Sequence, residues 1–247
     1  MRPAIETDGL TKRFDDTTVV SNLELTVPSE SVYGFLGPNG AGKTTTMRML
    51  TTLTPPTSGT ARVAGHSIAD RDAVVPHIGY MPEEPPLYDE LTAREQLQYI
   101  AGLRNVEADD RIETLLRRFD LLDDADERVG TYSKGMKQKT ALIQTVLHEP
   151  DVVFLDEPTS GLDPRAARTV RELISELTAD GMTVFLSTHI LPVVEELADT
   201  VGVLYDGSLV AEDSPERLTH RAEKEQTLED VFLDVTSEEP APAPVER

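Results

Sequence analysis

The segment Gly37-Pro38-Asn39-Gly40-Ala41-Gly42-Lys43-Thr44-Thr45 constrains this chain more than any other. It fits the pattern G-x-x-x-x-G-K-[ST] without a mismatch. The apolar run Val32-Tyr33-Gly34-Phe35-Leu36 precedes it and reads as a buried strand, and a helix-compatible stretch from Lys43 to Leu53 follows. In that setting the glycines let backbone N–H groups turn inward around phosphate oxygens, and the helix N-terminus adds partial positive charge. Lys43 is placed to reach the β- and γ-phosphates of a nucleoside triphosphate, and the Thr44 hydroxyl to ligate Mg²⁺. An ordinary glycine-rich turn is the bland alternative, and both flanks weigh against it. The loop specifies a triphosphate but not its use.

Two further apolar runs end in chemistry. Val152-Val153-Phe154-Leu155-Asp156-Glu157-Pro158 suits a central parallel strand buried on both faces, with two acids at its C-terminal end. Ligands of α/β sheets bind at that end. Asp156 suits the Mg²⁺ shell, and Glu157, one residue further on, is the candidate to polarise the attacking water. The run Thr183-Val184-Phe185-Leu186-Ser187-Thr188-His189 repeats the pattern and ends in an imidazole able to contact a γ-phosphate. The other histidines, His66, His77, His148 and His220, lack such a setting and are read as structural.

Upstream, Thr131-Tyr132-Ser133-Lys134-Gly135-Met136-Lys137-Gln138 places Ser133 as an N-cap, with helical apolar spacing over Met136 to Leu147. This is a second anion-binding helix N-terminus, which one chain does not need and two facing chains would.

Taken in chain order, over residues 4–235, the segments resemble the ATP-binding cassette family of transporter ATPases. Gly37 to Thr45 matches its Walker A segment, Val152 to Glu157 its Walker B segment, and Tyr132 to Met136 its signature. Ser160-Gly161-Leu162-Asp163 looks like its D-loop and His189 like its switch histidine. The resemblance implies a P-loop NTPase of the α/β class. Its RecA-like core would be built from residues 1–82 and 150–215, with an antiparallel β subdomain and an α-helical subdomain inserted at 84–148.

The resemblance also implies ATP and Mg²⁺ as cofactors. Phe14, Gly37, Pro38, Asn39, Gly40, Ala41, Gly42, Lys43, Thr44 and Thr45 would bind the nucleotide, Phe14 against the adenine. Ser133, Gly135 and Asp163 would reach the nucleotide of a second copy. Glu157 and His189 would be catalytic, and Thr44, Asp156 and Glu83 would surround the metal. The partners would be a second copy of the chain and a separate membrane permease, on the cytoplasmic face of the membrane.

Two positions depart from the family pattern. Lys134 stands where the signature usually has glycine. Glu83, after Tyr80-Met81-Pro82, stands where glutamine is usual; it can still accept from a metal-bound water. Thr227-Leu228-Glu229-Asp230-Val231-Phe232-Leu233 resembles the ending of drug-export ATPases, which points to an exporter.

Composition sets outer limits. The 247 residues allow one large domain or two small ones, and the absence of cysteine rules out disulfides and thiolate metal sites. No apolar stretch approaches the roughly 20 residues of a membrane helix, and no signal peptide precedes the first strand-like segment. The chain carries 45 acidic against 23 basic residues, for a formal net charge of −22. That field disfavours nucleic acid as a partner. Only six of the 23 basic residues are lysine, which with the abundant acid suits a cytosol of high salt.

Residues 84–148 are rich in helix signals, including a capping box at Thr92-Ala93-Arg94-Glu95 and an amphipathic stretch from Arg111 to Phe119. A hairpin is expected around Asp206-Gly207, a C-terminal extension over 216–235, and disorder over 236–247. Two rivals are a soluble cassette ATPase acting on ribosomes or DNA, and a module that holds ATP without turnover. A single cassette without sustained heptads weighs against the first, and Glu157 with His189 against the second.

Overall fold

The structure, a computed structural model, describes residues 3–220 and Phe232. Along the chain run β1 (Ile5–Phe14), β2 (Thr17–Leu23), β3 (Thr26–Val27), β4 (Val32–Leu36), α1 (Lys43–Leu50), β5 (Ser58–Val63) and β6 (His66–Ser67). Then come α2 (Arg71–Val74), β7 (Ile78–Met81), α3 (Ala93–Arg104), α4 (Asp109–Arg118), α5 (Lys134–Val146) and β8 (Val152–Asp156). The described chain continues through α6 (Pro164–Ala179), β9 (Thr183–Thr188), α7 (Leu191–Leu197), β10 (Thr200–Tyr205), β11 (Ser208–Asp213) and α8 (Pro215–His220).

Two sheets form. Strands β2-β1-β5-β6, with β3 on β1, make an antiparallel sheet; β11-β10-β4-β9-β8-β7 make a larger one, parallel except for edge strand β11. Every residue of β4, β8 and β9 is buried, as continuous apolar runs in a doubly covered parallel sheet require. On one face Phe185 packs against Tyr33, Phe35 and Phe154, with ring centroids 5.2 to 5.6 Å apart. Such aromatic clusters add to the area they bury.

Register is the consequence that matters for chemistry. Leu36 of β4 pairs with Thr188 of β9, and Ser187 of β9 pairs with Asp156 of β8. The C-terminal ends of three neighbouring strands therefore stop side by side. Gly37, His189 and Glu157, the next residues in each, meet at one edge although they are far apart in sequence.

Helices α3, α4 and α5 come between β7 and β8. The capping box forms in full: Thr92 Oγ1 accepts from Glu95 N at 3.1 Å and Glu95 returns to Thr92 N at 2.9 Å. Leu97, Leu116 and Phe119 share one apolar cluster with Leu142, Leu155 and Leu186, so the inserted helices are packed onto the sheet. Helix α5 starts at Lys134, two residues earlier than the apolar spacing suggests, because Ser133 caps it directly, its hydroxyl accepting from Met136 N. Helix α1 stops at Leu50 rather than Leu53; Thr52 turns left-handed at φ 61, and Thr54-Pro55-Pro56 cannot continue a helix. The hairpin at Asp206-Gly207 joins β10 to β11. Of the C-terminal extension, α8 and Phe232 are described; the rest of 221–235, nearly all of the Thr227–Leu233 ending, and 236–247 lie outside the described residues.

Candidate functional site

At the shared strand edge lies a cavity of about 360 Å³, lined by Val19, Asn39, Gly40, Gly42, Lys43, Thr44, Thr45, Glu83, Asp156 and Glu157. The loop after β4 is built by its glycines. Gly42 has φ 107 and lies so close to Val19 that a Cβ would come within 2.6 Å of its carbonyl oxygen. It serves as the N-cap of α1 without a side chain of its own, leaving the first N–H groups of the helix facing the cavity.

Lys43 is buried and folded into this loop. Its Nζ donates to Gly37 O at 2.7 Å and Pro38 O at 3.2 Å, and lies 3.8 Å from Glu157 Oε1. Burial lowers its pKa, and the carboxylates of Glu157, Asp156 and Glu83 oppose that shift. Anionic phosphates would supply a stronger partner than two neutral carbonyls.

Thr44 Oγ1 donates to Asp156 Oδ2 at 2.8 Å. Two oxygens at that spacing fit adjacent ligands of an octahedral Mg²⁺, whose bonds of about 2.05 Å give an edge of about 2.9 Å. Beside Asp156 in register, on the same face of the sheet, the Ser187 hydroxyl is fully buried and has no hydrogen-bond partner among the described residues. Burial and the Asp156 charge raise the pKa of Tyr80, and Arg48, which hydrogen-bonds it, lowers it.

Glu157 has a left-handed backbone, φ 49, and is almost fully buried. Its amide donates to Ser187 O at 2.8 Å. Oε1 lies 2.7 Å from His189 Nδ1, and Oε2 accepts from Thr188 Oγ1 at 3.0 Å. A non-glycine residue held in that conformation costs on the order of 1–3 kcal/mol, and such outliers concentrate at functional sites.

Phe14 is not brought into this cavity. Its ring is 49 % exposed at the end of β1, with Lys12 Nζ 4.9 Å from its centroid. Ser133, Gly135 and Asp163 are also outside the cavity of their own chain. Asp163 caps α6, accepting from Arg165 N and Ala166 N at 3.0 Å each, directly before Pro164 at the first helical position. Gly135 abuts Ala166, whose methyl would lie 3.0 Å from an added Cβ. The starts of α5 and α6 are therefore adjacent. Tyr132, whose hydroxyl donates to Asp124 O at 2.6 Å, anchors the segment before α5; burial and the nearby Asp124, Glu127 and Asp126 push its pKa up to about 12.

Sequence reading missed two groups. Thr188, the second donor to Glu157, reads as one more strand residue. Buried Gln138 donates to Pro158 O at 2.7 Å, tying α5 to the turn after Glu157. Both contacts depend on strand order. Of the four histidines read as structural, three make contacts away from the cavity: His77 Nδ1 lies 2.6 Å from Asp151 Oδ2 and its ring stacks on His66, while His148 Nε2 lies 2.9 Å from Ile78 O. The side chain of His220 is outside the described residues.

A glycine loop after β4, with two carboxylates at the end of β8 on the far side of β9, defines a P-loop nucleoside triphosphatase. The family model described as ABC transporter matches residues 20–160. The bacitracin transport ATP-binding protein BcrA of Enterococcus faecalis is 38% identical over 233 residues, covering 94% of this chain and 75% of that protein. The daunorubicin/doxorubicin resistance ATP-binding protein DrrA of Streptomyces peucetius is 41% identical over 213 residues, 85% of this chain and 64% of that protein. A solved ATP-binding subunit of an ABC transporter superposes with a TM-score of 0.85 at 30% identity, covering 94% of this chain and 99% of that one. The chain belongs to the ABC transporter family, as an ATP-binding and ATP-hydrolysing subunit.

Proposed function

We propose that this chain powers an exporter: two copies close around two ATP molecules and drive a separate membrane permease. Each ATP sits on one copy's phosphate loop and meets the other copy's Ser133, Gly135 and Asp163. Export is favoured by relatives named for bacitracin transport and daunorubicin resistance, and these names also favour transport over a soluble role on ribosomes or DNA. No helix among the described residues is long and apolar enough to cross a membrane; in this reading the permease is a separate chain and this one works on its cytoplasmic face.

In this reading Lys43 leaves the carbonyls of Gly37 and Pro38 for the β- and γ-phosphates. The backbone N–H groups from Asn39 to Thr45 cradle the remaining oxygens, and Phe14 offers its exposed ring to the adenine. Thr44 and Asp156 would hold Mg²⁺, with Glu83 lining the same cavity; the ion would neutralise charge on the transferred phosphoryl group. Glu157 accepts the proton of the attacking water, and His189 orients it. The pairing of the buried Glu157 carboxylate with His189 and Thr188, 3.8 Å from Lys43, carries this assignment.

A face of the inserted helices suits the permease. Tyr88 and Tyr99 meet edge to face at 5.8 Å and are about half exposed, and Leu103, one turn along α3, is 63 % exposed. Buried Gln96 accepts from Tyr88 N and donates to Pro86 O, so the Pro85-Pro86-Leu87-Tyr88 segment is held in place beside that face.

Glu157→Gln tests the central assignment. ATP should still bind, turnover should fall by about 10²–10⁴, and an ATP-bound dimer should accumulate on size exclusion. Hydrolysis at the wild-type rate would remove Glu157 from the chemistry.

A further inference from the structure

The nucleotide cavity shares a wall with a second one. This other cavity, also about 360 Å³, opens between the loop after β7, the start of α5 and the turn before α6. Glu83 lines both cavities. The charged groups facing the second are Glu83, Glu84, Asp89, Lys134 and Lys137. Lys137 is committed to Asp89, with Nζ 2.8 Å from Oδ1. That leaves Lys134 as the cation facing Glu83 and Glu84.

Lys134 is exposed at the start of α5. Its ammonium lies against Gly161, where a Cβ would collide with it, and Gly161 is left-handed at φ 64. The turn it covers begins at the catalytic site, since Ser160 N donates to Glu157 O at 3.1 Å. On the other side of the shared wall, the Glu83 carboxylate acts on Lys43 of the phosphate loop.

This creates an electrostatic problem and its answer. A cavity that must admit a polyanionic triphosphate already contains Asp156 and Glu157 and adds a third carboxylate, Glu83, at its edge. Like charges at such spacing repel, and the repulsion is strongest where water is scarce. A cation in the second cavity would offer that carboxylate a partner away from the phosphates. We propose that Lys134 is a positioning residue for ATP: seated on Gly161, it draws the Glu83 charge into the second cavity and so opens the first to the triphosphate. The two departures from the family pattern then form one compensating pair.

The inference rests on reading the first cavity as the ATP site. The test is a double-mutant cycle in the full chain, read as the dissociation constant for ATP by titration, with Mg²⁺ and with EDTA. Lys134→Met keeps most of the side chain's length and removes the charge. At about 0.1 M salt it should weaken ATP binding about two- to fivefold, the scale of a partly exposed charge pair. The loss should persist in EDTA and vanish in a Glu83→Gln background. Lys134→Arg should bind like wild type, and about 1 M KCl should erase the difference. Equal loss in both backgrounds, no loss in either, or a loss cancelled by Glu84→Gln instead would overturn the pairing while leaving the ATP site intact. A melting temperature lowered in step with affinity would make Lys134 merely structural and overturn it as well. Failure of the wild-type chain to bind ATP would overturn both this inference and the reading beneath it.

Discussion

His189 Nδ1 stands 2.7 Å from Glu157 Oε1 while Thr188 Oγ1 holds Oε2 of the same carboxylate at 3.0 Å. The two partners differ in setting: Thr188 is fully buried, whereas the His189 side chain is 46 % exposed. They therefore do separable work. In the proposed mechanism His189 turns toward a γ-phosphate, while Thr188 stays behind the carboxylate.

Substitutions at the two positions should divide accordingly. His189→Ala should lower kcat by on the order of 10², the cost of removing one oriented transition-state contact, with little change in urea midpoint. Thr188→Val keeps the packing volume but leaves buried Glu157 Oε2 without its donor, so it should lower stability by about 1–3 kcal/mol as well as activity. Denaturation and steady-state turnover on the two variants check this. Equal stability losses would mean that His189 is as structural as Thr188.

His148 predicts how the fold responds to acid. Burial, Arg104 and Arg111 lower its pKa from 6.5 to about 4, against the opposing hydrogen bond to Ile78 O. The folded chain thus binds this proton more weakly than the unfolded chain. As pH falls from above 6.5 toward 4, the unfolded state takes up the proton first, and the stability contributed by neutral His148 is lost. His148→Gln, which does not titrate, should show a smaller fall in urea midpoint over that window than wild type. Parallel pH profiles would remove His148 from the acid response.

A net charge of −22 makes a prediction about salt. Screening shortens from about 10 Å at 0.1 M to about 3 Å at 1 M, so self-repulsion among the surface carboxylates should fade in molar KCl. Both melting temperature and ATP turnover should rise between 0.1 and about 2 M KCl. Highest activity at low ionic strength, lost above 1 M, would rule out adaptation to a saline cytosol.

The parts of the site that were legible in the sequence are those carried by local rules. Val32–Leu36, Val152–Leu155 and Thr183–Leu186 read as buried strands because parallel strands covered on both faces are continuously apolar. Ser133 and Thr92 read as caps because a short hydroxyl side chain before a helical pattern has one evident use. What stayed hidden depends on strand order. Nothing local to Thr188 says that β9 runs between β4 and β8, which is what gives it Glu157 as a neighbour. The seat of Lys134 on Gly161 and the bond from Gln138 to Pro158 are hidden for the same reason. The two-residue strands β3 and β6 carry too few residues to show any period.

The start of α5 supplies the sharpest test of two-chain sites. Ser133 caps that helix outside the cavity of its own chain, so Ser133→Arg should leave ATP binding by the monomer intact while blocking closure on a second copy. Lys43→Ala does the reverse: it removes the charge contact to the phosphates and leaves the α5 surface whole. Each variant alone should lack ATP-dependent dimers. When the two are mixed, each mixed dimer holds one site with an intact phosphate loop facing an intact Ser133, and one site with both damaged. Dimers and turnover should therefore return in the mixture, to at most about half the wild-type level if sites add independently. If phosphate loop and Ser133 served one chain only, every chain in the mixture would carry a lesion in its own site. Mixing would then restore nothing, and strong turnover by Ser133→Arg alone would equally exclude a role for Ser133 across the interface.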